Sequence, residues 1–456
     1  MFRRLKVCSS CGNKLRLSEF HKNANELDGL NRYCKTCTSN RLKVRYLRKK
    51  AGVAKEMVNT LPVLNLTNSN QHLGNFVIPP RSVERLPIEL ATELANNQYA
   101  DDRFSVDLHE IEPMLPFEDN GVIHFNYWSP FGTYDSCGHL SNYICKYMLR
   151  DSRLRPHIKP FNNWVDGDVN DVVRNSFNDV SQICKIGVLY HLPFSFSRLP
   201  NPYRILIGFY ETDRLGPDFI RDYNNVDEVW TFSKFCHDVY SSYLTTKVIQ
   251  LKCGYDPEEY YYGDLRDKDV FTFGIAGRLT GRKSVTETIT AFTKAFKNQD
   301  DVRLFVKTRA ASVPIVNDNR IRTINADWDV TQMRDFYQRL DSFVFATHGE
   351  GFGLPPLEAS ACGAYSIVTD FSGCSDYVIE PYFYPLTVSE IEPSTSMSQG
   401  GNWAVVDGDQ LIESMRWCYN NRNLVTDRGI IASEYVKYHW NGSSIVDSIY
   451  NRLLEL

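Results

Sequence analysis

The chain has 456 residues, of which 43% are hydrophobic and 13% aromatic, so it is long enough for two or three domains with sizeable cores. No apolar run reaches membrane-spanning length, and the basic start is followed by cysteines and not by an apolar signal core, so we expect a cytoplasmic protein with no membrane partner. The net charge of −4 conceals a division, because residues 1–55 hold 15 Lys and Arg against 3 Asp and Glu, a net of +12, and the remaining residues carry −16.

Four of the twelve cysteines form two pairs near the start of the chain. Cys8 and Cys11 are separated by two residues, as are Cys34 and Cys37, and 22 residues lie between the pairs. Four thiolates at this spacing suit one tetrahedral Zn²⁺, with His21 as an alternative ligand. A zinc ion with four protein ligands has no open position for a substrate, so we predict a structural site.

A basic segment follows the second cysteine pair. We predict that residues 41–50 form a helix that follows a phosphate backbone, the alternative being a solvated surface. The segment contains no base-reading motif, so DNA binding is expected to be sequence-independent and salt-sensitive. The cysteine module resembles the small zinc ribbons that phage proteins carry beside DNA-acting domains. The residues assigned to nucleic-acid binding are Arg41, Lys43, Arg45, Arg48, Lys49 and Lys50.

The next part of the chain is predicted to be a linker followed by a first α/β domain. Residues 59–80 are rich in Asn, Thr and Pro, and a helix is predicted from 83 to 96. Further on, an apolar run ends near Gly132 and precedes a helix, which is typical of a phosphate-binding glycine loop but also of an ordinary turn. His191 and Glu211 both follow apolar runs, where either could be structural or part of a site.

A basic loop follows the apolar run 270–276, which we predict to be a buried parallel strand. The loop spans Gly277–Lys283, and a helix is predicted from Val285 to Phe296. Arg278 and Lys283 are suited to neutralising a diphosphate, although a single surface charge is more often merely solvated.

A second loop carries two carboxylates eight positions apart, Glu350 and Glu358, around a glycine-flanked turn. It follows a predicted strand at 340–347 and precedes a helix predicted to start at Leu357. Helix N-termini donate to phosphate or sugar oxygens, and carboxylates accept from pairs of hydroxyls. Because ligands bind beyond the carboxyl ends of parallel strands, both loops should converge on a nucleotide-sugar. One alternative is a surface loop that happens to carry two Glu residues. Another is a glycosidase acid and nucleophile pair, but it leaves the basic loop unexplained.

The two loops together carry a family resemblance. GRLTGRK (277–283) and THGEGFGLPPLEASACG (347–363) resemble, in order and spacing, the donor-site signatures of GT-B glycosyltransferases of the family 4 type. Residues 203–215 and 227–234 resemble the end of that family's N-terminal domain. The resemblance implies an α/β fold with two Rossmann-like domains facing a cleft. The implied organisation is a zinc ribbon with a basic helix at 1–55, a linker and irregular segment at 56–119, an N-terminal acceptor domain at 120–255, a C-terminal donor domain at 256–440, and a helix crossing back at 441–456.

The resemblance also implies roles for individual residues. Ser284, where the family usually has glycine, and His348 are departures that bear on donor preference. The implied catalytic residues are His191 near the anomeric carbon, Arg278 and Lys283 on the diphosphate, and Glu350 on the transferred sugar. The implied donor-binding residues are Gly132, Gly277, Arg278, Lys283, Glu350, Gly351, Phe352, Gly353, Leu354 and Glu358, the last of these on the ribose hydroxyls.

The predicted function is a retaining hexosyltransferase that uses a nucleoside-diphosphate sugar, by default UDP-glucose. Because a basic zinc module precedes the transferase, the predicted acceptor is a hydroxymethylated base in phage DNA, modified in the cytoplasm of the infected host. One alternative is a protein or glycan acceptor, with the ribbon as a docking module. A second is a DNA-binding protein that has lost transferase activity, against which the intact charged residues of both loops argue.

Overall fold

The structure is a computed structural model that describes residues 5–7, 14–16, 20–22, 30–34, 117–132, 134, 136–177, 183–190, 199–309, 316–394 and 400–456. The chain divides into two units, residues 1–85 and 86–456. In the first unit, β1 (Leu5–Val7) pairs antiparallel with β2 (Lys14–Arg16), and β3 (Phe20–Lys22) pairs antiparallel with β4 (Leu30–Cys34). The predicted basic helix at 41–50, linker at 59–80 and helix at 83–96 lie outside the described residues.

The second unit begins with a seven-stranded sheet in which every pairing is parallel except that of its short first strand. The strands run in the order β11-β10-β9-β8-β6-β5, and β7 also pairs with β6. Every residue of the central strand β8 is buried, as expected for a parallel strand with helices on both faces. The strands are β5 (Glu118–Asp119), β6 (Val122–Phe131), β7 (Leu154–Val165), β8 (Ile186–Tyr190), β9 (Tyr203–Ile207), β10 (Glu228–Thr231) and β11 (Lys247–Gln250). Its helices are α1 (Ser136–Arg150), α2 (Asp171–Arg174), α3 (Pro217–Tyr223) and α4 (Lys234–Tyr243).

A second sheet of six parallel strands follows, in the order β14-β13-β12-β15-β16-β17. The order reverses between β12 and β15, so the crevice between their carboxyl ends is where a ligand is expected. The strands are β12 (Phe271–Ala276), β13 (Val302–Thr308), β14 (Ile321–Asn325), β15 (Ser342–Phe345), β16 (Tyr365–Thr369) and β17 (Phe383–Leu386). The helices are α5 (Val285–Ala295), α6 (Val330–Gln338), α7 (Leu354–Ala361), α8 (Gly408–Asn420) and α9 (Arg422–His439). A small antiparallel pair, β18 (Ile391–Pro393) and β19 (Asn402–Ala404), lies before α8.

The two Rossmann-like sheets confirm the predicted α/β class. The predicted strands at 270–276 and 340–347 are found at Phe271–Ala276 and Ser342–Phe345. The predicted start of the helix at Leu357 is wrong, because α7 begins at Leu354 and takes both prolines into its first turn. A first-turn proline costs little, since its missing N–H would have no partner within the helix. Among the described residues, no helix is both long enough and apolar enough to span a bilayer.

The last helix, α10 (Ile445–Leu454), returns to the first sheet. Its Arg452 pairs with Glu228 of β10, which is fully buried, and the Arg452 Nε lies 2.9 Å from Glu228 Oε2. One hydrophobic cluster contains Ile449 of this helix together with Ile205 of the first sheet and Phe343 of the second. The two sheets therefore share a continuous core.

Asp341, the residue just before β15, is expected to make the free energy of unfolding depend on pH. Its Oδ2 accepts a hydrogen bond from the Thr272 N–H at 2.8 Å, and burial raises the pKa of Asp341 to about 6. The unfolded value is about 3.9, so the stability that this group contributes is lost as pH rises through about 6. Asp341→Asn keeps an acceptor for Thr272 and removes the titration. We expect its melting temperature to exceed that of the wild type by a few degrees near neutral pH and to match it near pH 4. An equal difference at both pH values would contradict this account.

Candidate active site

The basic loop after β12 turns sharply into helix α5. Residues Gly281–Lys283 form a short 3-10 helix, and Ser284 follows with φ of +46°, in the left-handed region. A residue without a Cβ adopts this conformation at the lowest cost, which accounts for glycine being usual at this position in the resembled family. The turn directs Arg282 and Lys283 toward the loop after β15.

The glycines of the second loop allow the two halves of the unit to approach closely. Gly353 has φ of +84° and precedes the first residue of α7. A Cβ on Gly349 would lie 2.2 Å from the carbonyl oxygen of Glu211, and one on Gly351 would lie 2.6 Å from Cβ of Phe209. Neither contact leaves room for a side chain. The segment after β9 therefore packs directly on the turn after β15.

Glu350 is held by two cations at the point where the strand order reverses. Its Oε1 lies 2.6 Å from Nζ of Lys283 and 2.9 Å from Nη1 of Arg282, and its N–H donates to Oγ of Ser372 at 2.8 Å. Burial acts to raise the pKa of Glu350, but the attraction of Arg282 and Lys283 outweighs it and holds the pKa below its usual value. Burial also lowers the pKa of Lys283. The sequence predicted that Lys283 and Glu350 share a site, and the structure brings them into contact.

Arg282 is a site residue that sequence reasoning missed, whereas the structure leaves Arg278 apart from the cluster. The Arg282 guanidinium contacts Glu350, donates to the carbonyl of Gly349 at 2.6 Å, and lies 3.1 Å from Oε1 of Glu211. Arg278 is exposed at the start of the loop and forms no ion pair with another described residue. The only available signal for Arg282 was its position beside Lys283. Gly277 and Phe352 lie on the two loops, and Leu354 is the first residue of α7.

Glu358 lies among different partners from those of Glu350. Its Oε2 accepts from the Tyr337 hydroxyl at 3.2 Å, and its Oε1 lies 3.7 Å from Nε2 of His139 on α1. The same His139 nitrogen lies 3.6 Å from Oε2 of Glu259. Burial raises the pKa of Glu358. The ribose-binding role of Glu358 stays a prediction, and sequence reasoning did not single out His139.

Gly132 directly follows β6, at a point where no side chain fits. Its φ is +126°, and a Cβ would lie 1.7 Å from the carbonyl oxygen of Asp166. A Cβ on Gly138, in the first turn of α1, would lie 2.8 Å from the Gly132 oxygen, so the helix N-terminus lies against the strand end. Arg309, after β13, donates to the carbonyl of Tyr134 at 3.1 Å and so links this loop to the second sheet. Its position after a strand was a signal that sequence reasoning could have used.

We expect Gly132→Ala to destabilise the protein by more than about 2 kcal/mol, because it adds a backbone clash to an unfavourable φ. Gly121→Ala is the matched control, since its φ is also positive, at +79°, but nothing lies within 4 Å of an added Cβ. The control should lose about 1 kcal/mol. Urea unfolding of both variants measures the difference, and equal losses would show that the close approach to Asp166 does not matter.

Several predicted site residues lie outside the described part of the chain. They are His191, the basic residues of 41–50, Cys8, Cys11 and Cys37. Cys34 is the last residue of β4. Within the described residues, no group of three or more His, Cys, Asp and Glu could hold a metal ion.

Comparison with known proteins identifies the fold. Sucrose-phosphate synthase from Thermosynechococcus elongatus superimposes with a TM-score of 0.54 at 13% identity, over 73% of this chain and 99% of that one. A glycosyltransferase from Rickettsia africae gives 0.53 at 12% identity, over 74% of this chain and 100% of that one. HepE from Anabaena, in complex with UDP-glucose, gives 0.50 at 12% identity, over 73% and 100%. The second unit has a GT-B-like fold.

Sequence comparisons agree with the GT-B-like fold, but they match fewer residues of this chain than the structural superpositions do. Residues 270–385 match the family model described as glycosyl transferases group 1. The capsular polysaccharide biosynthesis glycosyltransferase CapM of Staphylococcus aureus is 28% identical over 128 residues, which are 27% of this chain and 33% of that protein. An N-acetylgalactosaminyltransferase of Campylobacter jejuni is 32% identical over 72 residues, 16% of this chain and 18% of that protein. The chain thus matches a third or less of the length of these curated relatives. The range that the family model matches contains both loops of the candidate site.

Proposed function

We propose that the protein is a retaining glycosyltransferase of the family 4 type that takes a sugar from a nucleoside diphosphate, with UDP-glucose as the default donor. The observation that carries the proposal is the contact of Lys283 and Arg282 with one oxygen of Glu350 at the carboxyl ends of β12 and β15. Such a cluster offers cations for a diphosphate and a carboxylate for sugar hydroxyls. In support, the solved HepE structure, which shares the fold, contains UDP-glucose.

The proposed reaction relies on electrostatic stabilisation of the departing diphosphate. As the glycosidic bond to the donor phosphate breaks, negative charge grows on the diphosphate and positive charge on the sugar. Lys283, Arg278 and the N–H groups at the start of α7 would stabilise the negative charge on the diphosphate. Glu350 would orient the sugar together with the backbone of Gly351–Gly353, Glu358 would accept from the ribose hydroxyls, and His191 would lie near the anomeric carbon. If Glu350 and Glu358 were instead the acid and nucleophile of a glycosidase, the two cations that contact Glu350 would have no role.

For the acceptor we propose a hydroxymethylated base in phage DNA. The argument for DNA is the charge of residues 1–55, which carry a net +12, whereas the rest of the chain carries −16. A base inside a duplex is hidden from a cleft, so the target nucleotide would have to flip out.

Two strand pairs support the proposed zinc module. Val7 pairs with Lys14, so Cys8 and Cys11 belong to the connection between two paired strands, and Cys34 ends a strand three residues before Cys37. Four thiolates at the sequence spacing of these two cysteine pairs would hold a structural Zn²⁺.

A protein or glycan acceptor is the second candidate, and one observation favours it. The CapM relative, which is 28% identical over 128 residues, is named for capsular polysaccharide biosynthesis. In that case the first unit would dock the enzyme on its acceptor. The two candidates share the donor chemistry and differ only in what the first unit binds.

Mass spectrometry of acceptors after incubation with a panel of nucleotide-sugars tests the proposal. We expect a hexose mass increment on hydroxymethylated DNA and none on unmodified DNA. Transfer to a protein or glycan with hydroxymethylated DNA untouched would overturn the acceptor assignment. Absence of both transfer and donor hydrolysis would overturn the enzyme assignment. A gel shift of the full chain against Arg48→Gln/Lys49→Gln/Lys50→Gln, read across salt, should show a shallower salt dependence in the variant if DNA is bound there.

A further inference from the structure

Arg282 joins the two halves of the GT-B-like unit at the candidate site. Its guanidinium reaches Glu350 and Gly349 on the loop after β15, and Glu211 on the segment after β9. The backbone takes part as well, since the carbonyl of Arg282 accepts from the His348 N–H at 2.9 Å. Arg282 is thus bound through both its side chain and its backbone to the segment that carries Glu350.

The surroundings of the Arg282–Glu211 pair depend on the two halves being in contact. The side chains of Arg282 and Glu211 are 21% and 25% exposed, so the pair is largely shielded from solvent. Beside it, Oγ of Ser233 donates to the carbonyl of Gly351 at 2.6 Å, and Gly349 leaves no room between its backbone and Glu211. Separation of the halves would break all of these contacts together. A shielded pair of this kind contributes more than an exposed one, because water screens it less.

We propose that Arg282 is a positioning residue that latches Glu211 of the first half to Glu350 of the second, so that Glu350 is oriented for the donor sugar only when the cleft is closed. The expected loss of transfer rate rests on the proposed function. The joining of the two halves by Arg282 rests on the observed contacts alone. Lys283 binds the same oxygen of Glu350, but among the described residues its only ion pair is the one with Glu350, so it cannot latch Glu350 to the first half by direct contact. Arg282 can, because its fork-shaped guanidinium has donors for both carboxylates.

A double-mutant cycle tests the latch. Arg282→Gln is expected to lower kcat/KM about 10- to 100-fold, since small misplacements of a positioned group have effects of this size. Glu211→Gln leaves the Arg282–Glu350 contact in place and should lower kcat/KM about fivefold or more, with kcat affected more than KM for the donor. In the Arg282→Gln background, Glu211→Gln should have a clearly smaller effect than in the wild type, because its ion pair with Arg282 has already been removed. Asp218→Asn, which breaks an exposed ion pair with Arg221, is the matched control and should leave kinetics unchanged.

Hydrogen exchange supplies a readout that does not require activity. Peptides covering 208–212 and 349–353 should exchange faster in Glu211→Gln and Arg282→Gln than in the wild type, and should be unchanged in Asp218→Asn. Additive kinetic effects, or unchanged exchange in both segments, would overturn the latch. A wild-type protein that transfers no sugar would overturn the proposed function instead, and the exchange data would still decide whether Arg282 joins the halves.

Discussion

Lys283→Ala is expected to lower the rate of sugar transfer by about 10²- to 10³-fold or more while the fold survives. Removing one preorganised group that stabilises developing charge typically has an effect of this size. Lys283 is placed for this role at the carboxyl end of the central strand β12, with its Nζ 2.6 Å from Glu350 and 5.2 Å from the centre of the Phe345 ring. The fold should tolerate the change, because Arg282 remains as a counter-ion for Glu350. Release of nucleoside diphosphate, followed with saturating donor, measures the rate.

Two further variants make the Lys283 result interpretable. Lys294→Ala removes an exposed lysine at the other end of helix α5 and should turn over at the wild-type rate. Glu350→Ala should match Lys283→Ala in activity, because both remove parts of one cluster and their effects should not add. Circular dichroism and thermal melting establish that each variant is folded. Normal turnover by a folded Lys283→Ala or Glu350→Ala protein would refute the assignment of the site.

Arg452→Met should destabilise the protein by about 3 to 5 kcal/mol at neutral pH, the usual effect of removing one partner of a buried ion pair. Glu228 is fully buried and accepts hydrogen bonds from Trp230 at 2.8 Å and Tyr203 at 2.9 Å, but Arg452 is the charged group that contacts it closely. Although burial acts to raise the pKa of Glu228, Arg452 and these hydrogen bonds lower it overall. Without Arg452 the ion pair left to the buried carboxylate would be the longer one with the exposed Lys247, whose Nζ lies 4.0 Å from Glu228 Oε1. Equilibrium urea unfolding measures the loss.

The pH dependence of this effect has a definite sign. Because the folded-state pKa of Glu228 is lowered, its contribution is present above the unfolded value and is lost as pH falls through the folded one. The wild type should therefore lose more stability on acidification than Arg452→Met, and the two should converge at low pH. Glu228→Gln/Arg452→Met should recover much of the loss, and Glu455→Gln, which removes an exposed partner of Arg452, should cost less than about 1 kcal/mol. A small effect of Arg452→Met at neutral pH would show that the pair does not hold α10 to the sheet.

The local pattern of the chain was sufficient to predict the elements that carry the site. The apolar runs at 270–276 and 340–347 indicated buried strands, and the polar residues after them indicated loops at the carboxyl ends of a parallel sheet. The start of α7 was predicted three residues too late because the double proline was treated as a barrier, whereas the first helical turn accepts it. Such errors arise at element ends, where the apolar period carries least information.

The partners of the charged residues were harder to predict. Arg278 and Arg282 are four residues apart in one loop, yet only Arg282 reaches Glu350 and Glu211, because the short 3-10 turn and the left-handed Ser284 set the direction of each side chain. Glu350 and Glu358 are both buried, yet one is held by two cations and the other lies beside His139 and Tyr337. No local pattern separates these environments.

What the sequence determined is the set of chemical groups and the side of the sheet on which they lie, because strand and helix periodicity are local properties of the chain. What only the tertiary structure decided is which groups meet. Glu211 and Glu350 are far apart in the chain, as are Glu228 and Arg452, and their meeting depends on how two sheets and a returning helix pack around one shared core. Long-range contacts of this kind follow from the packing of whole elements, to which every buried side chain contributes, and no single motif encodes that sum.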